Sequence, residues 1–104
     1  MTELTDITRA IVRRMFPSDK RSDVEDFLRL ECADNLPQWH DPSPEGLERI
    51  RLAVLKLSAG DIDALLRAIE IAQTDWRDSL MGAGFGHSIK EHERWADEYL
   101  NGSG

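Results

Sequence analysis

The chain contains a single cysteine, Cys32, so no disulfide can form within it. Long apolar runs are also missing, since the longest spans only residues 52–55 whereas a membrane-spanning helix needs about 20 apolar residues. The first residues, MTELTDITRAIVRRMF, carry acids and arginines where an export signal needs an apolar segment. We therefore expect a cytoplasmic protein with no membrane association, folded as one domain over residues 1–104 with a frayed end at 101–104.

Basic residues are scarce. Thirteen Lys and Arg stand against 20 Asp and Glu, which gives a net charge of −7. Nucleic-acid phosphates and anionic lipids repel such a surface, so neither is an expected partner. An acidic excess is typical of solubility rather than of one particular function.

Strand patterns are absent from the sequence, and helical spacing recurs instead. The first apolar stripe is Leu4, Ile7, Ile11 and Met15. Pro17 should end that helix, and Ser22 with Glu25 forms a capping box that predicts the start of a second. A further capping box, Ser88 with Glu91, predicts a last helix that ends near Leu100.

A long antiparallel helix hairpin is predicted at about 44–59 and 62–81. Pro44 suits the first position of a helix, Gly60 suits the left-handed residue that closes one, and Asp61 suits the N-cap of the next. With the other predicted helices, the hairpin makes an all-α fold, a small bundle of about five helices.

Both arms of the hairpin carry more apolar surface than one core-facing stripe requires. The main stripe of the second arm comprises Ile62, Leu65, Leu66, Ile69, Trp76 and Leu80. Gln73 lies within that stripe, which predicts a buried amide. Ala64, Ala68 and Ile71 form a second apolar row, and Leu52 and Leu55 form another on the first arm.

These extra rows have two explanations. Other helices of the same chain could cover them, as expected for the middle of a bundle, or a second subunit or a partner helix could do so. Under the second explanation, the interaction surface comprises Leu52, Leu55, Ala64, Ala68 and Ile71. Trp39 and His40 join it from the proline-rich loop 35–44, where Trp39 is either tucked into the core or offered to a partner.

No catalytic, cofactor or metal site is predicted. His87 and His92 are five residues apart, whereas helical zinc motifs place two histidines four apart. The glycines at 82, 84 and 86 follow a helix rather than a strand, so they indicate helix termination instead of a phosphate loop. Asp75 and Arg77 point away from each other on a helical wheel, and no acid–base pair can be assigned.

Residues 49–86 resemble a block found in small bacterial proteins of unknown function. The resemblance rests on LAVLKLS, the Gly60-Asp61 turn, TDWRD and AGF. It implies a bacterial, intracellular origin and agrees with the helical hairpin, and it supplies no activity, cofactor or catalytic residue.

The sequence thus favours a non-enzymatic helical module for protein–protein interaction or regulation, with self-association through the hairpin as one form of it. The alternative is a small-ligand or anion-binding protein that uses Trp39, His40 and His87 in a pocket.

Overall fold

The computed structural model describes residues 3–33, 36, 44–86 and 90–101, without the side chains of residues 44 and 45. This part of the chain holds five helices and no strand. They are α1 (Asp6–Met15), α2 (Ser18–Glu31), α3 (Pro44–Ser58), α4 (Ile62–Ala83) and α5 (Glu91–Leu100). The predicted all-α bundle is confirmed. None of the described helices is long and apolar enough to cross a membrane.

Helix α3 occupies the centre of the bundle. Helices α1, α4 and α5 all contact it, while α2 packs on α1 and α4. Between residues 46 and 58 only the side chain of Lys56 is exposed. The apolar rows all the way round α3 are therefore explained by the helices of the same chain.

The turn between α3 and α4 forms as predicted. Gly60 has a φ of 86°, and the Asp61 carboxylate accepts a hydrogen bond from the Ala64 amide at 2.9 Å, as an N-cap does. A Cβ at position 60 would lie 3.2 Å from the Met15 carbonyl oxygen. The absence of a side chain there lets the end of α1 approach the turn closely.

Helix α4 contains a break that the sequence did not predict. Asp75 has extended backbone angles, φ −156° and ψ 103°, and its carboxylate accepts a hydrogen bond from the Arg77 amide at 3.1 Å. Asp75 thereby caps a second helical segment, 76–83. The Asp75 and Arg77 side chains also meet at 3.1 Å, so the prediction that they point apart was wrong.

The segment after the break returns along α3. A Cβ at Gly82 would lie 3.6 Å from Leu57, and the Lys56 ammonium donates to the Ala83 carbonyl at 2.8 Å. Lys56 and Leu57 lie just before the α3–α4 turn, so residues 82 and 83 have come back close to that turn. An unbroken helix would instead carry residue 82 about 30 Å away from residue 62. Gly84, with a φ of 82°, then ends α4, as the glycine run predicted.

Helix α2 begins earlier than its predicted capping box. It starts at Ser18, directly after Pro17, and Ser22 lies inside its first turns. The first turn of α2 is held against α1 by Arg21, which donates to the Arg13 and Phe16 carbonyls at 2.8 and 3.1 Å. The Arg21 side chain therefore supplies hydrogen-bond donors to carbonyl groups at the C-terminal end of α1.

A buried arginine joins α3 to two other parts of the chain. The Arg51 guanidinium donates to the Cys32 carbonyl at 2.9 Å and to the Glu3 carbonyl at 3.1 Å. Cys32 is the C-cap of α2, so Arg51 supplies positive charge where the helix dipole is negative.

We expect Arg51→Met to lower the free energy of unfolding by about 2–4 kcal/mol, because two carbonyl oxygens lose their donors in a buried site. Urea denaturation measures this change. Arg67→Met is the matched control, since Arg67 is exposed on α4, and it should cost less than about 0.5 kcal/mol. Equal stabilities of the two variants would contradict the role given to Arg51.

Candidate functional site

A buried polar cluster joins α1, α3 and α5. Its members are Thr5, Thr8, Glu48 and His92. The Thr5 hydroxyl donates to Glu48 Oε1 at 2.6 Å and lies 2.9 Å from the Thr8 hydroxyl. On the other side, His92 Nε2 lies 3.4 Å from Glu48 Oε2. Glu48 is 6% exposed and His92 2%.

The cluster favours the ionised form of Glu48. Interaction with His92 and the hydrogen bond from Thr5 lower the pKa of the Glu48 carboxyl, although burial opposes them. The 3.4 Å separation from His92 exceeds the range of a good hydrogen bond. Within the part of the chain described, neither ring nitrogen of His92 has a hydrogen-bond partner.

A cleft opens above this cluster, between α1 and α5. Its volume is about 540 Å³, within the range of small-ligand sites. It is lined by Ile7, Glu48, Lys90, Glu93, Arg94, Ala96, Asp97 and Leu100. The lining thus combines a buried carboxylate with apolar walls and charges of both signs.

Helix α5 docks through a row of aromatic side chains. The rings of Phe85 and Trp95 are 6.0 Å apart, and those of Trp95 and Tyr99 are 5.4 Å apart in an edge-to-face arrangement. Phe85 comes directly after the Gly84 cap, so the end of α4 and α5 share one aromatic cluster.

The chemistry available at the described residues is limited. No group of three or more His, Cys, Asp or Glu among them could hold a metal ion. Burial raises the pKa of the Cys32 thiol to about 12, which keeps it protonated and unreactive. His87 and the predicted N-cap Ser88 lie outside the described residues.

Three residues of the predicted interaction surface, Leu52, Leu55 and Ala68, are buried within the chain itself. Leu52 and Leu55 lie four and seven residues after Glu48, on the side of α3 that α1 and α5 cover. Ala64 is half-buried and Ile71 is 45% exposed. Trp39 and His40 lie outside the described residues.

The core-facing side of α4 also differs from the prediction. The buried residues before the break are Leu65, Ala68, Ile69 and Ala72. The small side chains of Ala68 and Ala72 allow α4 to approach the core closely. The buried side of α4 is therefore rotated from the predicted stripe toward the second apolar row, which we call the alanine row (Ala64, Ala68 and Ile71). Leu66, predicted to be core, is 42% exposed. Gln73, predicted to be buried, is exposed and donates to the Glu31 carboxylate at 2.6 Å.

The contact between Gln73 and Glu31 defines a seam between α2 and α4. Met15 lies beside Gly60 at one end, and Glu31 meets Gln73 at the other, so α2 runs parallel to the first segment of α4. Leu66 is seven residues before Gln73 and therefore on the same side of α4. Phe27 and Leu30 are four and one residues before Glu31 on α2.

We call this surface the α2–α4 seam, and its apolar residues are Phe27, Leu30, Ile62 and Leu66. Phe27 and Ile62 are half-buried and pack against the core. Leu30 is 49% exposed and Leu66 42%. The sequence does not reveal this seam, because the helical spacing of α4 places Leu66 on the stripe predicted to face the core.

Comparison with protein-family models, with curated proteins and with solved structures finds no match for this chain. The resemblance of residues 49–86 to small bacterial proteins therefore stays a prediction.

The lowered pKa of Glu48 makes a pH-dependent contribution to stability. A carboxylate with a folded-state pKa below its unfolded value of about 4.3 stabilises the fold above that pH. The contribution is lost as the pH falls through the folded pKa. We expect Glu48→Gln to lower the free energy of unfolding by about 1–3 kcal/mol at pH 7, with a difference from the parent that shrinks below about pH 4.3.

Urea unfolding between pH 7 and pH 3 measures this difference. Glu70→Gln, at an exposed position of α4, should change stability at pH 7 by less than about 0.5 kcal/mol. A constant difference between Glu48→Gln and the parent over the whole range would show that the charge of Glu48 plays no part.

Proposed function

We propose that the protein is a non-enzymatic, cytoplasmic interaction module that binds a protein partner through the α2–α4 seam. The observation that carries this proposal is the exposure of Leu30 and Leu66 on the adjoining helices α2 and α4, which also carry the half-buried Phe27 and Ile62. An apolar strip between two helices is a common binding surface for a further helix.

We choose the α2–α4 seam because it carries apolar side chains that the other helices of the chain leave exposed to solvent. Leu52 and Leu55 are buried in the chain itself, so a partner cannot reach them without unfolding the bundle. Ile71, in the alanine row, is exposed on the opposite side of α4. Among the described residues, the large apolar side chains exposed on α4 are those of Leu66, Ile71 and Met81. Leu66 lies on the side of α4 that carries Gln73 and faces α2, where Leu30 is also exposed.

Capture from a lysate of the source organism, followed by quantitative mass spectrometry, tests the proposal. We expect Leu66→Asp to lose a partner that the parent retains, because a charge would enter the apolar strip. Ile71→Asp is the matched control, since 45% exposure is close to the 42% of Leu66, and it should retain that partner.

Light scattering on the purified chain addresses self-association. A dimer that Leu66→Asp dissociates and Ile71→Asp leaves intact would identify the partner as a second copy. The proposal fails if the two variants behave like the parent in both experiments.

A second candidate function is small-ligand binding in the α1–α5 cleft. The observation that favours it is the ionised, buried Glu48 in a cleft of about 540 Å³. Binding there would not require Trp39, His40 or His87, the residues that the sequence offered for a pocket.

A fragment screen followed by NMR tests this second candidate. We expect a binder to shift amide resonances of Ile7, Glu93 and Asp97 and to raise the melting temperature in proportion to its occupancy. Resonances of Leu30 and Leu66 should stay unchanged. If no fragment perturbs the cleft, this function is excluded in favour of the seam.

A further inference from the structure

We infer that the α2–α4 seam accepts an amphipathic helix with basic residues beside its apolar face. The inference rests on the proposed function and adds the chemical class of the partner. Three observations support it: the spacing of the exposed leucines, the acids on both rims, and, within the described part of the chain, the absence of neutralising ion pairs at those acids.

The spacing of the two leucines fits a helix. Glu31 meets Gln73, so Leu30 lies almost level with position 73, and Leu66 lies seven residues earlier on α4. At 1.5 Å per residue, the two leucines are about 10 Å apart along the seam. Two turns of a helix rise about 11 Å, so apolar residues seven positions apart on one helix would meet both leucines.

Acids flank the apolar strip on both helices. On α4, Asp63 and Glu70 lie within about 60° of Leu66 around the helix axis. On α2, Asp19 and Asp23 lie within about 20° of Leu30. All four are exposed. The bases nearest the strip are Lys20 and Arg67, so the rims carry more negative than positive charge.

These four acids have no ion-pair partner among the described residues. The ion pairs of α2 and α4 instead involve Arg29 with Asp26, Arg9 with Glu25, and Arg77 with Asp75. A partner with lysines or arginines beside its apolar face would supply the missing charges. A second copy of this chain, with a net charge of −7, would bring further acids instead.

Two synthetic helical peptides test this inference. One has leucines seven residues apart with lysines flanking them, and the other has glutamates in place of the lysines. Fluorescence anisotropy with the full chain should show binding of the lysine peptide that weakens as salt increases. The glutamate peptide should bind at least about tenfold more weakly, since like charges would face each other.

Variants of the chain locate the binding. Leu66→Asp should weaken the lysine peptide at least about tenfold, as expected for a central apolar contact, and Ile71→Asp should leave it unchanged. Removing two rim charges, as Asp63→Asn with Glu70→Gln, should weaken it about threefold or more. Removing two charges on α5, as Glu93→Gln with Asp97→Asn, should leave the affinity for the lysine peptide unchanged.

The outcomes separate the inference from the function on which it rests. Equal binding of both peptides, with sensitivity to Leu66→Asp, would overturn the basic partner and keep the seam as an interaction surface. Binding that is lost equally in the α4-rim and α5 variants would overturn it too, because general charge attraction would then explain the affinity. If neither peptide binds and light scattering shows a dimer that depends on Leu66, the occupant is a second copy.

Discussion

The fold depends on the burial of charged side chains on the central helix. Arg51 holds the end of α2 and the segment before α1, while Glu48 holds the start of α1 and the inner side of α5. Two less buried residues of α3, Lys56 and Arg49, donate to the Ala83 and Phe85 carbonyls at the end of α4. Because buried polar groups are costly without partners, the contacts of Arg51 and Glu48 fix their neighbours against α3 and disfavour other arrangements.

The second constraint is the break at Asp75. It allows α4 to pack on α3 twice, first with the segment that follows the turn and then with the segment that returns to Leu57. Both segments remove apolar surface of α3 from solvent. Little of that helix therefore remains for a partner, and any interaction surface has to lie on the outer helices.

The close approach of α4 to the core determines which of its apolar side chains are exposed on the outer surface. Ala68 and Ala72 are small enough to lie at the contact, and this orientation turns Leu66 toward α2 and solvent. Helix α2 contributes Leu30 to the same strip and does not cover Leu66 fully. The α1–α5 cleft differs from the seam because its lining includes the buried carboxylate of Glu48, which also joins the helices around it.

The sequence by itself determined the helical class, the approximate positions of the helices and the turn at Gly60-Asp61, because these follow from local patterns of apolar residues and caps. The glycines at 82, 84 and 86 also predicted where α4 ends. The sequence could not determine how α4 is rotated about its axis, since close packing against the core buries Ala68 and Ala72 together with Leu65 and Ile69 and leaves Leu66 exposed. The sequence did contain one clue to the Glu48 cluster, because Glu48 lies on the same side of α3 as the apolar residues Leu52 and Leu55. The partners of Glu48, however, are distant from it in the sequence. Only the tertiary structure brought Thr5, Glu48 and His92 together, reversed α4 at Asp75 and left Leu30 and Leu66 exposed on neighbouring helices. Each of these features depends on contacts between helices rather than within them.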